Sequence, residues 1–199
     1  MDNPPPGIRR LCVAFGIEQP DGCGAAGMAS AEEWAAKAFT DVCASVGLDR
    51  MLLHCQPAGE QQVGLLPVGI DEPRVVSSLV DGLFRALTEL SIPPNGRAPV
   101  RLRLAFHEGV TTLAADGFGG NAVVMVRQMA KSPHLQAALD EHPRASLAVL
   151  LSDPVFQEIE HFGYSGLPTD QFRLVEIADP RSSPRNIAWI YVPLRPNAD

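Results

Sequence analysis

The sequence predicts an α+β fold whose first half runs strand, helix, strand, strand, helix, strand and whose second half adds short helices and closing strands. Residues 9–18 form a nearly continuous apolar run, which is typical of a central strand covered on both faces. Two stretches with helical spacing of apolar residues follow, and two short strand-like runs lie between them. This order is that of the ferredoxin-like βαββαβ core.

Local signals place the elements of that core. Ser30 and the glutamate three residues later form a capping box, so we expect the first helix at about residues 31–46. Asp71 can cap the second helix. The strand-like runs at residues 50–56 and 61–66 flank a Pro-Ala-Gly-Glu segment, and this spacing predicts a β-hairpin.

The second half of the chain centres on a glycine-rich segment at residues 116–120. A fourth strand at residues 100–107 is expected to turn at residues 108–109 into a further strand at residues 110–115, which leads into this segment. The helix that follows, at residues 121–131, is apolar almost all round and is therefore either deeply buried or covered by a second subunit. The remaining predicted elements are short helices at residues 133–141 and 153–161 and strands at residues 145–151, 172–177 and 187–192.

Composition favours one domain over two. The 199 residues, 46% of them hydrophobic, suffice for one sizeable core, which we expect at residues 9–195 after a mobile Pro-rich leader at residues 1–8. The formal net charge of −7 argues against nucleic-acid binding, because that affinity comes mainly from clustered Lys and Arg. No apolar stretch reaches the roughly 18 to 20 residues of a membrane helix, and no signal peptide is recognised, so we expect a cytoplasmic protein without membrane contact.

The cysteines do not indicate a metal site or a disulfide framework. Cys12, Cys23, Cys43 and Cys55 form no CxxC pair and have no histidine at metal-ligand spacing. We therefore expect small buried thiols.

The glycine-rich segment has the features of an anion-binding site. Gly117, Gly119 and Gly120 allow positive φ and close backbone approach, and the first amides of the following helix have no intrahelical partner. The same pattern occurs in strand-to-helix turns that bind nothing. Arg127, inside the apolar helix, needs a partner, which is either an anionic ligand or a carboxylate from this chain or a second subunit.

His107 and Glu108 stand next to this segment in the predicted structure. Their side chains are suited to acid-base chemistry. A histidine at a strand end is also common as a hydrogen-bonded structural residue, so both interpretations stay open.

Across about residues 9–193, these residues and their spacing resemble a class III nucleotidyl cyclase homology domain of the short stand-alone bacterial form. In that family the first strand and the hairpin tip each carry a metal-binding Asp, and here Gly16 and Glu60 occupy those positions. Glu18 points to the same face of the strand as Gly16 and is the only candidate substitute there. The resemblance therefore implies no metal cofactor, with Mg²⁺ or Mn²⁺ bound only if Glu18 and Glu60 form an active cleft.

The resemblance also locates the residues that read the base and stabilise the transition state. Gln56 stands at the position of the purine-selecting lysine, and Asp116 stands at its acidic companion position. Gln56 can donate and accept hydrogen bonds, so a base could still be read, whereas Asp116 can equally be a solvated turn carboxylate. In the third helix, Val123 takes the place of the family's Asn and Arg127 that of its Arg.

Three functions remain open. The first is a catalytically inactive cyclase-like domain that acts as a regulatory or scaffold module through dimerisation and protein contacts. It implies a homodimer, or a heterodimer with an intact cyclase-type subunit. The second is a nucleotide sensor that uses the vestigial cleft, and the third is an active purine nucleotide cyclase with altered metal ligands. The hypothetical nucleotide site comprises Gln56, Asp116, Gly117, Gly119, Gly120 and Arg127.

Overall fold

The computed structural model of the chain describes residues 7–18, 25–48, 54–57, 61–89, 100–114, 117–163, 166–177 and 186–195. The side chain of Ser30 lies outside this description. Two predicted site residues, Glu60 and Asp116, lie outside it entirely.

The described residues form one mixed sheet with helices on both faces. Its order is β2-β3-β1-β4-β6-β8-β7, and β5 pairs only with β4. The strands are β1 (Ile8–Glu18), β2 (His54–Pro57), β3 (Gln61–Leu65), β4 (Arg101–Ala114), β5 (Gly117–Gly119), β6 (Leu147–Ser152), β7 (Arg173–Ile177) and β8 (Asn186–Tyr191). The helices are α1 (Ala25–Ser45), α2 (Glu72–Glu89), α3 (Asn121–Ala130), α4 (Pro133–Glu141) and α5 (Asp153–Phe162), followed by a 3₁₀ turn (Thr169–Gln171).

The first six elements confirm the predicted ferredoxin-like core. In this core β1 lies between β3 and β4 and is antiparallel to both, and β2 pairs with β3. The later strands extend the sheet beyond β4, beginning with β6, which runs parallel to β4. The predicted fold class, with added closing strands and short helices, is therefore correct.

Strand β1 divides the core because its side chains alternate between two apolar clusters. Leu11, Val13 and Phe15 join the cluster beneath α1, α2 and α5, which we call the α1 face. Cys12 and Ala14 join the cluster beneath α3 and α4, which we call the α3 face. The same alternation places the functional positions at the end of β1 on the α3 face.

The predicted turn at residues 108–109 is wrong, because β4 runs without interruption from Arg101 to Ala114. A Cβ on Gly109 would lie 3.0 Å from the Cβ of Ala122 in α3. The glycine therefore allows α3 to pack closely on the strand and does not mark a turn. This close contact is tertiary, so the local pattern could not reveal it.

Other boundaries show which local signals are informative. Helix α1 begins at Ala25, so residue 30 lies inside the helix and not at its N-cap. The Asp71 carboxylate accepts a hydrogen bond from the Arg74 amide at 3.3 Å, which confirms its capping role for α2. Likewise, the Ser132 side chain accepts from the His134 amide at 3.2 Å at the start of α4.

The cysteine prediction is correct in part. Cys12 and Cys43 are buried free thiols, whereas Cys55 is exposed, and Cys23 lies outside the described residues. Burial raises the pKa of Cys12 and of Cys43 to about 12, so both stay protonated. In the part of the chain that the structure describes, no helix is long and apolar enough to cross a bilayer.

Candidate functional site

The glycine-rich segment folds back on β4 as the short strand β5 before α3 begins. Gly120 is the N-cap of α3 with φ +110°, and a Cβ there would lie 2.7 Å from the carbonyl oxygen of Val110. The glycine is therefore required by a backbone-to-backbone contact. Gly119 differs, because its nearest neighbour would be the Thr112 hydroxyl at 3.9 Å.

Gln56 closes the edge of the predicted nucleotide site against β5. Its Nε2 donates to the carbonyl of Phe118 at 3.1 Å, and its Oε1 accepts from the Phe118 amide at 3.3 Å. A Cβ on Gly117, where φ is +143°, would lie 2.5 Å from the same Oε1, so Gly117 makes room for this pairing. The side-chain amide thus continues the hydrogen bonding of the strand with both of its polar atoms.

At the end of β1, on the α3 face, four positions form what we call the arginine cluster: Gly16, Glu18, Arg101 and Arg103. Gly16 lies opposite Arg103 in the β1–β4 register, and Glu18 lies opposite Arg101. The Arg103 Nε is 3.3 Å from Glu18 Oε2, and its Nη2 donates to the Ile17 carbonyl at 3.4 Å. The Glu18 carboxylate, the candidate substitute for the missing metal ligand, therefore already has a cationic partner.

The cluster offers few metal ligands. Gly16 has no side chain, and Glu60 lies outside the described residues. Among the residues described, no three His, Cys, Asp or Glu side chains come together as a metal site.

The two predicted positions on helix α3, Val123 and Arg127, point in different directions. Val123 is buried in the core on the α3 face, whereas Val124, Arg127 and Gln128 line a cavity of about 410 Å³ between α3, α4 and the end of β7. Within α3, Val124 and Gln128 lie one helical turn apart and both line the cavity, and Arg127 lies beside them. The Arg127 carbonyl accepts from the Gln61 side chain at 3.3 Å, which ties the end of α3 to β3.

The cavity collects further polar groups that the sequence did not single out. Lys131 and Ser132 line it at the junction of α3 and α4. His134 also lines it, and its Nε2 lies 3.1 Å from the carbonyl of Glu176, which requires the tautomer with hydrogen on Nε2. Lys131, Ser132 and His134 follow Arg127 closely in sequence at the α3–α4 junction, and only the end of β7, with Glu176, is brought to them by the fold.

His107 and Glu108 cannot act as a pair, because neighbouring strand residues point to opposite faces. His107 lies on the α3 face, and burial lowers its pKa. Glu108 lies on the α1 face, where the Arg9 guanidinium binds both of its carboxylate oxygens. The structural interpretation accounts for the contacts of Glu108, whereas the buried Nδ1 of His107 has no hydrogen-bond partner among the described residues.

No known protein family matches the sequence, and no curated protein sequence does either. Solved structures do match. The adenylate/guanylate cyclase/hydrolase from Silicibacter pomeroyi is 13% identical, with a TM-score of 0.61 over 94% of this chain and 98% of its own. The guanylate cyclase domain of RhGC from Catenaria anguillulae, solved with GTP, is 11% identical, with a TM-score of 0.61 over 94% and 97%.

A dimeric guanylyl cyclase domain of the RhoGC fusion protein from Blastocladiella emersonii also matches. It is 10% identical, with a TM-score of 0.59 over 93% of this chain and 97% of its own. At these identities the likeness concerns the fold, which is shared over nearly the whole chain.

Proposed function

Because the chain has the fold of class III nucleotidyl cyclase domains, we propose that it is a catalytically inactive form of that fold, acting as a regulatory or scaffold module through dimerisation and protein contacts. The observation that carries the proposal is the pairing of Gln56 with the backbone of Phe118. A base read at this edge would have to break both hydrogen bonds and leave the Phe118 backbone unpaired.

Two further positions support loss of catalysis. Gly16 supplies no metal ligand, and Val123, at the family's Asn position, is buried in the core and has no polar group to stabilise developing charge. Removal of a single such donor costs other enzymes a factor of about 10² to 10³ in rate.

The β4–β5 arm supports dimerisation. Beyond the first residue of β1, strand β4 continues with only β5 as a partner in the described sheet. Leu113 lies on this arm and is 38% exposed, whereas Val110 lies just before it, opposite Arg9 of β1, and is 54% exposed on the other face of the strand. A strand end with exposed apolar residues on both faces suits contact with a second copy, which would cover them.

The test combines mass and turnover measurements. We expect light scattering after size-exclusion chromatography to give a dimer for the wild type and a monomer for the double variant V110K/L113K. The control V68K changes an equally exposed valine, at 55%, away from the arm and should remain dimeric. A wild type that stays monomeric at high concentration, or that forms cyclic nucleotide from ATP or GTP with Mn²⁺, would contradict the proposal.

A second candidate, nucleotide sensing, is favoured by the 410 Å³ cavity. Arg127 and Lys131 line it, and their positive charges suit an anionic ligand. A ligand at a hundred times its dissociation constant would stabilise the fold by about 2.7 kcal/mol, which a thermal-shift panel of ATP, GTP and their cyclic products detects. A nucleotide-dependent shift that K131M abolishes would replace the inactive-module proposal with this one.

A further inference from the structure

The β1–β4 register explains which residues of the arginine cluster face one another. On the α3 face, Gly16 is directly opposite Arg103, and Glu18 is its diagonal neighbour two residues further on. Because Gly16 has no side chain, the Arg103 side chain can lie across it and reach Glu18, where its Nε stands 3.3 Å from Oε2. The glycine and the arginine thus form a matched pair of positions.

The Arg103–Glu18 pair is largely removed from water. The Arg103 side chain is 19% exposed and that of Glu18 is 14% exposed. Water and salt screen such a pair less than an ion pair on the surface, so the two charges interact more strongly, although the Arg103 Nε and Glu18 Oε2 atoms do not form a hydrogen bond. The hydrogen bond from Arg103 to the Ile17 carbonyl, at 3.4 Å, ties the guanidinium to the strand as well.

The charge balance of the cluster is the reverse of a metal site. Its four positions carry two guanidinium groups and one carboxylate, whereas a divalent ion requires an excess of oxygen ligands and negative charge. Buried Nε and Nη2 atoms of Arg101 have no hydrogen-bond partner among the described residues. A cation that approached Glu18 would be repelled by the Arg103 guanidinium paired with it and by the Arg101 guanidinium opposite it in the strand register.

We propose that the Arg103 guanidinium stands in place of the divalent cation that the class III fold implies, so that this end of the cleft is built to function without a metal ion. Gly16 is then the partner change that makes room for Arg103. The inference depends on the cyclase-type fold and on the assignment of Gly16 to a metal position. It does not depend on whether the chain dimerises.

The decisive comparison is G16D with G16A, since both add a Cβ and only one adds a carboxylate. In metal-free buffer, a new carboxylate beside Arg101 and Arg103 should form an ion pair, so we expect G16D to melt about 2 °C or more above G16A. In an unfilled metal site the same carboxylate would instead repel Glu18, and G16D would melt below G16A until Mn²⁺ was added.

A second series asks whether Arg103 is what excludes the metal. Mn²⁺ binding is measured by electron paramagnetic resonance and by the melting midpoint. We expect no Mn²⁺ at this site in the wild type or in G16D, and a Mn²⁺-dependent rise in midpoint for G16D/R103M. The matched control is G16D/R9M, which removes an arginine paired with a glutamate at the other end of the same two strands, where its side chain is 61% exposed. It should gain no response.

Three outcomes would overturn the inference. The first is Mn²⁺ bound by the wild type and lost in E18Q. The second is a G16D midpoint below that of G16A that Mn²⁺ restores, and this comparison stands even if R103M variants do not fold. The third is a folded G16D/R103M without a Mn²⁺ response. Subunit mass and turnover are not read here, so failure of this inference is distinguishable from failure of the proposed function.

Discussion

The contact between Gln56 and Phe118 makes a quantitative prediction about stability. Replacing Gln56 with Met keeps nearly the same shape but removes both hydrogen bonds to the Phe118 backbone, at 3.1 and 3.3 Å. The amide and carbonyl of Phe118 would then lose their partners. If the pairing is part of the resting fold, the variant must be less stable than the wild type.

The size of the loss follows from the two bonds. Each contributes about 0.5 to 1.5 kcal/mol net, so Q56M should lower the free energy of unfolding by about 1 to 3 kcal/mol. For a chain of this length, a loss near 2 kcal/mol lowers the melting midpoint by about 4 to 8 °C. The contact is only partly buried, which favours the lower half of this range.

Urea unfolding followed by circular dichroism measures this change directly. The control Q136A removes a glutamine whose side chain makes an exposed hydrogen bond within α4, to Asp140. That change should cost less than about 0.5 kcal/mol. A Q56M variant as stable as the wild type would refute the reasoning. If it also lost a nucleotide-dependent shift, Gln56 would be a base-reading residue.

Three further outcomes are expected. G120A should lose about 2 kcal/mol or more in urea unfolding, because its Cβ would meet a β4 carbonyl at 2.7 Å at positive φ, whereas G119A should be nearly neutral; equal losses would contradict this. Burial, and then neighbouring carboxylates, raise the pKa of Glu72 from 4.5 to about 7, so the folded state holds its proton more tightly than the unfolded state. Wild-type stability should therefore fall as pH rises from about 4.5 to about 7. The E72Q variant should lack this slope and should melt above the wild type beyond pH 7. If E72Q shows the same slope as the wild type, Glu72 is not its cause. D153A should cost about 2 kcal/mol, because Asp153 accepts from the Trp189 indole at 2.8 Å, and unchanged tryptophan fluorescence and stability would argue against that bond.

The sequence was sufficient for the order of elements in the core. Apolar runs and helical spacing located β1, α2, α3 and α4 because these signals arise from which side chains each element must bury. Local capping chemistry at Asp71 was also readable, since donor and acceptor are three residues apart. Such short-range relations do not depend on the rest of the molecule.

The glycine positions show the limit of prediction from the sequence. At residue 109 the sequence suggested a turn, whereas the fold uses the missing side chain to seat α3 on β4. The direction of α3 residues was equally hidden, because Val123 and Val124 are identical in sequence and only packing decides that one enters the core and the other lines the cavity.

The residue types at the candidate site positions, Gly16, Gln56 and Arg127, could be read from the sequence, and the first two differ from the family pattern that the sequence resembles. The tertiary structure decided which other residues contact those positions. Gln56 contacts Phe118 at a sequence separation of 62, and Arg103 contacts Ile17, in the strand of Gly16, at a sequence separation of 86. Pairings of that kind follow from strand register and helix placement, which are set by burial of the whole core and not by any local stretch of the chain.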